Sequence, residues 1–544
     1  MTKPTASARK RIAEHGPIVA ILLLALLLRL DGGGFGLPAL NDPDEPLFML
    51  LAIDMLRRQS FNPQWFGHPG TITLYCLALI LVAVGGIGVA SGRFGSVDAF
   101  AAAVYADPGI VMLPARLFIV ANGVACVWLT YRIGQALWGK RGGLIAALFL
   151  AVNALHIGWS QVIRTDVQAS VFMLLCVSQA IAIHREGRTR DYLLAGIFAG
   201  LAVATKWPAA AILLCPLSAG LARAVTQTDQ RWRVVMLPVV ALATLLAASS
   251  FLLIDHATLI QNLSGEARPL HPGATGHGLW ANLAWYFGGP LAGSLGILGL
   301  IAALLGMFGA MRRDSAWLIG VCPGFCVFLL MIAAQNLVWE RWLVPLLPFF
   351  ALGLAYSLGF VADKLRNRAK PWGGAAIMAL LLAPMLLADH ARSQERRHDT
   401  RQIASAWLRQ HAPPGSSILV EHAAIDLLQG PWEIRFPLGA AGCIDAKAIL
   451  AGQVTAGEVE TKRAGNPVVD LGHVDPALMA TCRTEYAVLS HWSRYRDERT
   501  SYPQAYARYA ELLAQGHVVK TLLPRAGHIG GPEVQIVRLG AVPQ

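Results

Sequence analysis

Charged side chains are scarce in this sequence. Only 14% of its 544 residues are Asp, Glu, Lys or Arg, against about 25% in an ordinary soluble domain, whereas 55% are hydrophobic. This composition argues against a purely soluble protein and excludes a disordered or nucleic-acid-binding chain. With a mean hydropathy of +0.50 and apolar runs long enough to cross a bilayer, the sequence predicts a helical membrane protein.

Cysteine is almost confined to apolar runs. Six of the eight cysteines lie in such runs, where a free thiol behaves as a small hydrophobe and implies no metal site. Cys443 and Cys482 are the pair in a polar region. If that region is exported, the two are candidates for a disulfide.

Apolar segments of membrane-spanning length recur through residues 1–390. They cover 17–35, 112–135, 142–158, 165–183, 191–206, 208–223, 234–254, 281–310, 316–334, 342–361 and 372–388, with a further one at 71–90. The first follows a basic start that includes Lys3 and Arg9. It could be a cleaved signal peptide or a retained helix, and we expect the retained helix.

Basic loops indicate the orientation of these segments. Arg132, Lys140, Arg185 and Arg313 all fall on the cytoplasmic side of a chain with a cytoplasmic N-terminus only if 71–90 does not cross. That segment would then lie at the outer interface or re-enter. We expect about eleven crossings in a bacterial-type inner membrane, with acidic loops and residues 391–544 outside.

The composition becomes that of a soluble domain from about Arg392. We predict a helix over 399–411, a second helix that carries Tyr502, Tyr506 and Tyr509, and strands at 417–420, 486–489, 518–523 and 534–537. Residues 391–544 are therefore predicted to form a small extracytoplasmic α/β domain.

Three carboxylates follow the first apolar run, at Asp42, Asp44 and Glu45. Close carboxylates repel one another, which raises the pKa of at least one and suits it to act as a base near neutral pH. The alternative is a solvated acidic turn that caps a helix starting at Pro46. His68 follows in an aromatic turn, where it could orient a substrate, join a metal site with these carboxylates, or merely form part of the turn.

Basic residues at the ends of later spans are candidates for binding an anionic group: Arg116, Arg164, Lys206 and Arg341. Arg116, Lys206 and Arg341 could instead snorkel to the interface. Arg164 could form a local ion pair with Asp166, and Arg341 a local contact with Glu340.

Five stretches occur in one order along the chain. They are Asp44-Glu45 with the following helix and His68-Pro69, Arg164-Thr165-Asp166, Ala204-Thr205-Lys206-Trp207-Pro208, residues 340–348, and residues 407–415. In this order they resemble the GT-C glycosyltransferases of the protein-O-mannosyltransferase and lipid A aminoarabinose transferase type. The chain departs from the latter by Pro-Gly after His68 and Trp-Pro after Lys206, which leaves the acceptor open.

The resemblance implies a polytopic GT-C fold and catalytic acids at Asp44, with Glu45 beside it, and at Asp166. It also implies a sugar donor linked to polyprenyl phosphate, and a lipid, glycan or protein acceptor. Arg341 and Lys206 would hold the departing phosphate, and Asp44 would be the general base.

The polar segment from Asp255 to Trp280 carries His256, Glu266, His271 and His277 without regular ligand spacing. A divalent metal is therefore a possible but unassigned cofactor, and the segment itself is expected to be a mobile flap over the site. Two other classes stay open. One is a transporter or flippase of lipid-linked sugars, and the other is an adhesion or assembly protein that binds through its C-terminal domain.

Overall fold

The structure is a computed structural model that describes residues 6–68, 70–266, 270–365, 371–422, 425–450 and 470–540. Lys3 of the basic start, Pro69 of the aromatic turn and Pro269 of the expected flap lie outside these residues.

The first part of the chain is helical. In chain order its α-helices are α1 (Ala6–Leu30), α2 (Glu45–Arg57), α3 (Thr71–Ala90), α4 (Val97–Ala106), α5 (Gly109–Ala151), α6 (Ala154–Ser160), α7 (Thr165–Arg185), α8 (Thr189–Thr205), α9 (Leu214–Thr226), α10 (Arg231–Ala248), α11 (Phe251–Ile254), α12 (His256–Glu266), α13 (Leu279–Tyr286), α14 (Ala292–Leu295), α15 (Ile297–Arg313), α16 (Ser315–Gly320), α17 (Cys322–Ala333), α18 (Leu347–Leu365) and α19 (Pro371–Arg397). Short 3-10 helices at Trp207–Leu213 and Glu340–Leu346 lead into α9 and α18.

Seven helices of the described residues are long and apolar enough to cross a membrane. They are Thr71–Ala90, Gly109–Ala151, Thr165–Arg185, Trp207–Thr226, Thr228–Ala248, Glu340–Lys364 and Gly373–Arg397. A further pair of helices is bent by 108° at the break between them: Leu279–Leu295 and Ile297–Arg313. This pair would make an eighth span if it were counted as one helix. The predicted fold class, a polytopic helical membrane protein, is confirmed.

Several predicted spans are shorter or interrupted. The segment at 142–158 is broken at Asn153, whose side chain accepts from the His156 amide and caps α6. The segment at 316–334 is split into α16 and α17 around Val321. These breaks were not predicted because apolarity alone does not show where a helix stops. The count of eleven crossings stays a prediction.

The segment at 71–108 forms a helical hairpin whose two ends lie on one side of the bundle. Gly70 donates its amide to the Thr205 carbonyl at 3.3 Å, and the Tyr105 carbonyl accepts from Gln429 of the C-terminal domain at 3.2 Å. Between them α4 packs back along α3, with Phe100 against Gly85. This geometry favours a segment that returns to its side of entry, although α3 alone is long enough to span.

Small residues let α15 and α18 approach closely. A Cβ added to Gly306 would lie 1.8 Å from the Gly353 carbonyl oxygen. Contacts of this kind between small residues are the usual means of packing helices in a bilayer, where hydrophobicity does not drive helix association.

The C-terminal region folds as the predicted α/β domain. Its elements are α20 (Thr400–His411), β1 (Ser417–Val420), β2 (Glu433–Pro437), β3 (Cys443–Asp445), α21 (Ala446–Leu450), β4 (Tyr486–Leu489), α22 (Trp492–Asp497), α23 (Pro503–Ala514), β5 (His517–Leu522) and β6 (Val534–Arg538). The sheet order is β3-β2-β1-β4-β6-β5, with β1 parallel to both β2 and β4. The short strands β2 and β3 were not among the predicted elements.

Cys443 and Cys482 form the predicted disulfide, with Cα atoms 4.9 Å apart. The boundary proposed at residue 390 falls inside α19, which continues to Arg397 before the sheet domain begins. The domain rests on the bundle through Gln402, whose amide exchanges two hydrogen bonds with the Asn41 side chain at 2.9 and 2.7 Å.

Candidate functional site

The acidic motif opens α2, and Asp42 supplies the cap. The Asp42 carboxylate accepts from the Asp44 amide at 3.0 Å and the Glu45 amide at 3.3 Å, while the Asp44 side chain makes no capping hydrogen bond. The capping role considered for the motif thus falls to Asp42. The Asp44 side chain remains 36% exposed.

Arg164 joins this motif to the start of α7. Its guanidinium donates to Asp44 through one nitrogen and to both Asp42 oxygens, at 2.9 and 3.1 Å, through the other. The local Arg164–Asp166 ion pair considered from the sequence is therefore not formed. Arg164 is 6% exposed, so it is held in place between the two carboxylates.

Asp166 pairs with Lys206 instead. The Lys206 ammonium donates to Asp166 Oδ1, and both side chains are almost fully buried. The second carboxylate oxygen of Asp166 is buried without a hydrogen-bond partner within the described residues. Lys206 reaches this position because α8 ends at Thr205 and the backbone turns extended at Lys206.

His68 lies close to the same charged residues, among them Asp44, Asp166 and Lys206. Its Nδ1 is 3.4 Å from the Thr165 hydroxyl, and its carbonyl accepts from the Trp207 amide at 2.8 Å. Burial and the nearby Lys206 and Arg341 lower the pKa of His68 to about 3. The imidazole is therefore neutral at physiological pH.

Arg341 completes the group as a cation with no carboxylate partner in the part of the chain that the structure describes. The guanidinium lies 4.4 Å from the centroid of the Trp339 ring, and among the described residues its Nε is buried without a hydrogen bond. The local contact with Glu340, considered as an alternative, is not formed, and Glu340 pairs instead with Arg392 at 3.1 Å. At 8% exposure, Arg341 is not a snorkelling side chain.

Glu45 and Arg116 form a separate, closed ion pair. Arg116 donates to both Glu45 oxygens at 2.9 and 2.6 Å and to the Gly33 and Phe35 carbonyls, and the Ile163 amide donates to Glu45 at 2.9 Å. Glu45 is fully buried and Arg116 is 1% exposed. Neither side chain opens onto the space around Asp44.

Repulsion was expected to raise the pKa of at least one of the three carboxylates, and Asp44 is not the one. Burial acts to raise the pKa of Asp44, but the nearby Arg164 and Arg341 hold it below its usual range. The raised pKa belongs to Glu45, where burial outweighs the hydrogen bonds from Arg116. Asp44 is thus ionised at physiological pH.

The residues described do not form a divalent-metal site. In the part of the chain that the structure describes, no three His, Cys, Asp or Glu side chains converge to hold a metal ion. Asp44 and Asp166 are each bound by a cation, Arg164 and Lys206, and these would have to move before a metal could bind. The donor set at this site therefore does not fit a divalent cation.

The segment expected to be a flap is anchored on both sides of the site. Asn262 accepts from the Phe66 amide at 2.7 Å, and the Ala274 carbonyl accepts from the Val338 amide at 2.9 Å. The C-terminal domain holds it as well, because Glu498 accepts from the Gly273 amide at 2.8 Å. Its mobility stays a prediction.

Sequence reasoning assigned no site role to two residues that the structure places here, Asp42 and Trp339. Asp42 belongs to the motif that was recognised, but its shared contact with Arg164 depends on a residue over 100 positions away. Trp339, which supports Arg341, resembles any interfacial aromatic residue in sequence. The six residues that the structure brings together from those predicted are Asp44, His68, Arg164, Asp166, Lys206 and Arg341.

Comparisons with known proteins give one family and a set of similar folds. Residues 95–254 match the family model described as dolichyl-phosphate-mannose-protein mannosyltransferase, and no curated protein sequence matches significantly. ArnT from Cupriavidus metallidurans bound to undecaprenyl phosphate is similar in structure, with a TM-score of 0.53 and 13% identity over 97% of this chain and 100% of that chain.

A second similar structure is the archaeal oligosaccharyltransferase AglB from Archaeoglobus fulgidus, in complex with an inhibitory peptide and a dolichol-phosphate. It has a TM-score of 0.50 and 12% identity over 93% of this chain and 73% of that chain. The resemblance inferred from the motifs is thereby confirmed: this chain has the GT-C fold of these structures, and its residues 95–254 match the dolichyl-phosphate-mannose-protein mannosyltransferase family.

Proposed function

We propose that this chain is an integral-membrane glycosyltransferase that moves a hexosyl or pentosyl group from a polyprenyl-phosphate donor to an acceptor hydroxyl. The observation that carries the proposal is the nearness of a partly exposed carboxylate, Asp44, to Arg341, a buried cation that has no carboxylate partner among the described residues. Both lie where apolar spans end, so a lipid tail can stay in the bilayer while its phosphate and sugar reach the site.

Arg341 and Lys206 are assigned to the donor phosphate. Arg341 presents a guanidinium fork that matches two phosphate oxygens, and Lys206 adds a point charge. Negative charge grows on the phosphate as it leaves, so cations fixed in advance stabilise the transition state more than the ground state. The similar structures contain undecaprenyl phosphate in one case and dolichol-phosphate in the other, which supports a donor of this class.

Asp44 is assigned as the base. The acceptor oxygen bonds to the anomeric carbon, the bond from that carbon to the phosphate oxygen breaks, and Asp44 takes the acceptor proton as polyprenyl phosphate leaves. Because its pKa is low, Asp44 removes the proton late, when bond formation has already made the acceptor oxygen acidic. A single displacement of this kind inverts the anomeric carbon.

Asp166 and His68 are assigned to positioning. Asp166 fixes the Lys206 ammonium, and its unpartnered Oδ2 is placed to accept from a sugar hydroxyl. His68, neutral and against Thr165, can bind either substrate without adding charge. Glu45, named from the resemblance, and Arg116, named for its place at the end of a span, are assigned instead to supporting the loop that carries Asp44.

The site is assigned to the outer face of a bacterial-type inner membrane, with a cytoplasmic N-terminus. Two features support this. The C-terminal domain lies on the Asp44 side of the bundle through its contact with Asn41, and it contains the Cys443–Cys482 disulfide. Disulfides persist in oxidising compartments such as the periplasm.

Sugar transfer from a panel of radiolabelled polyprenyl-phosphate sugars to membrane acceptors tests the proposal. We expect transfer by the purified wild type, and a loss of about a hundredfold or more in Asp44→Asn. Asp54→Asn is the matched control, since Asp54 pairs with Arg58 on the exposed face of α2 and should leave activity unchanged.

Two outcomes would contradict the proposal. Equal transfer by wild type and Asp44→Asn would show that Asp44 is not the base. Movement of donor across proteoliposomes without transfer to any acceptor would identify a transporter. That alternative is less consistent with charged groups gathered at one end of the bundle, since transporters bind near the bilayer midplane.

A further inference from the structure

A groove of about 300 Å³ lies between α5 and α7, far from the Asp44 site. Most of its wall is apolar, and Arg132 and Gln179 supply its long polar side chains. Arg116 on α5 and Asp166 on α7 lie at the end of these helices that is near Asp44. Arg132 follows Arg116 by 16 residues, and Gln179 follows Asp166 by 13 residues. These separations correspond to about 24 and 20 Å along the helix axes.

Arg132 lines this groove. Trp138, whose indole donates to Asp314 at 3.0 Å, lies nearer to that end of the bundle. The Arg132 guanidinium lies 5.5 Å from the centroid of the Trp128 ring, one helical turn deeper, which is the direction in which helical side chains lean. The guanidinium therefore lies beside the apolar wall, where it can bind an anionic group held in the groove.

The two long polar side chains of the groove, Arg132 and Gln179, have no hydrogen-bonding or ionic partner among the described residues. Within the described residues, the Trp128 ring is the contact recorded for the Arg132 guanidinium, and the Gln179 amide takes part in no hydrogen bond. By the helical rise, Arg132 lies about 9 Å deeper along α5 than Trp138, and Gln179 lies about 8 Å deeper along α7 than His184. Unpartnered polar groups at that depth are costly in lipid, and a ligand with an anionic head and an apolar tail would satisfy them.

We propose that this groove binds an anionic phospholipid of the leaflet opposite the Asp44 site. The phosphodiester accepts from Arg132 and Gln179, and an acyl chain lies against Trp128, Leu175 and Ile181. Other basic residues at this end of the bundle are Lys140, Arg141 and Arg185. Such clusters concentrate anionic lipids at the membrane surface, while Arg132 provides the specific contact.

Native mass spectrometry of the full chain, purified in detergent and titrated with phosphatidylglycerol or phosphatidylcholine, tests this site. We expect the wild type to bind phosphatidylglycerol about tenfold more tightly than phosphatidylcholine, and Arg132→Gln to lose that preference. Arg141→Gln is the matched control, because Arg141 is exposed at the same end but does not line the groove.

Equal binding of the two lipids by the wild type, or a preference retained in Arg132→Gln, would overturn the proposal. So would displacement of phosphatidylglycerol by a lower concentration of polyprenyl phosphate, which would make the carrier lipid the occupant. Arg132→Gln should unfold at the wild-type temperature without lipid, since Arg132 is exposed and makes no ion pair among the described residues. Gln179→Leu, which keeps the groove apolar, should weaken phosphatidylglycerol binding several-fold.

Discussion

Arg164 and Asp44 are in contact although 120 residues separate them in the chain. The same guanidinium holds Asp42, so one cation fixes the position of the acidic motif and the charge of its exposed carboxylate. The base of the proposed reaction therefore depends on a residue that need not touch substrate.

Removal of Arg164 should change the pH dependence of transfer. The lowered pKa of Asp44 keeps the wild-type carboxylate ionised from about pH 8 down to about pH 5, and kcat/KM should fall only as pH drops through that pKa. Arg164→Gln removes the nearest positive charge and raises the pKa of Asp44, so the acid limb moves to higher pH. Arg58→Gln, which frees Asp54 instead, should leave the profile unmoved, and identical acid limbs in all three proteins would refute this coupling.

Glu45→Gln should destabilise the bundle without changing the chemistry. It leaves the buried Arg116 charge without its counter-ion, which costs about 3 kcal/mol or more in the free energy of unfolding. Glu186→Gln breaks an exposed pair with Arg188 and should cost less than about 1 kcal/mol. Denaturant titration in micelles measures both, and equal losses would show that burial of the Glu45 pair has no energetic role.

The C-terminal domain should lose stability as pH rises toward neutrality. Glu421, which follows β1, is buried and bonded to the Ser490 and His491 amides, and burial together with Asp470 raises its pKa to about 7. A carboxyl whose pKa is raised on folding stabilises fully below its unfolded pKa of about 4.3 and loses that contribution as pH rises through the folded value.

Thermal unfolding of the full chain between about pH 5 and pH 8 measures this effect. The sheet-domain transition of the wild type should fall to lower temperature across that interval. Glu421→Gln removes the titrating group and should flatten the curve, whereas an unchanged slope would assign the pH dependence to another group.

Glu498 should influence the binding of the donor from a distance. Its carboxylate holds Gly273, and the next residues of that segment pair with 336–338, with the Gly276 amide donating to Asn336 at 2.7 Å. Trp339 and Arg341 follow directly. Glu498→Ala should therefore raise the KM for the donor several-fold with little change in kcat, because a misplaced Arg341 weakens phosphate binding.

Steady-state kinetics with varied donor separate this effect from simple instability. Glu511→Ala is the control, since Glu511 contacts Gln515 on the exposed face of α23. A fall in kcat alone for Glu498→Ala would assign Glu498 a different role, and wild-type kinetics would show that the C-terminal domain does not position Arg341.

Much of the architecture could be predicted because hydrophobic patterning is local. Long apolar runs predict helices in lipid whatever their partners, and alternation of short apolar runs with an amphipathic helix predicts the α/β domain. The interruptions at Asn153 and Val321 were missed, since each is decided by capping and packing within an otherwise apolar segment. The strands β2 and β3 were missed because they are short and carry polar residues such as Arg435.

The sequence by itself determined the membrane fold, the acidic motif and the cations at the ends of the spans, because residue type and spacing set burial, charge and helix ends. Only the tertiary structure decided which charges pair. Asp44 and Glu45 are neighbours in sequence, yet successive side chains at a helix start diverge, so Glu45 turns inward to Arg116 and Asp44 stays half-exposed beside Arg164. Arg341 is left without a carboxylate among the described residues because Arg392, which follows Glu340 by 52 residues, pairs with Glu340.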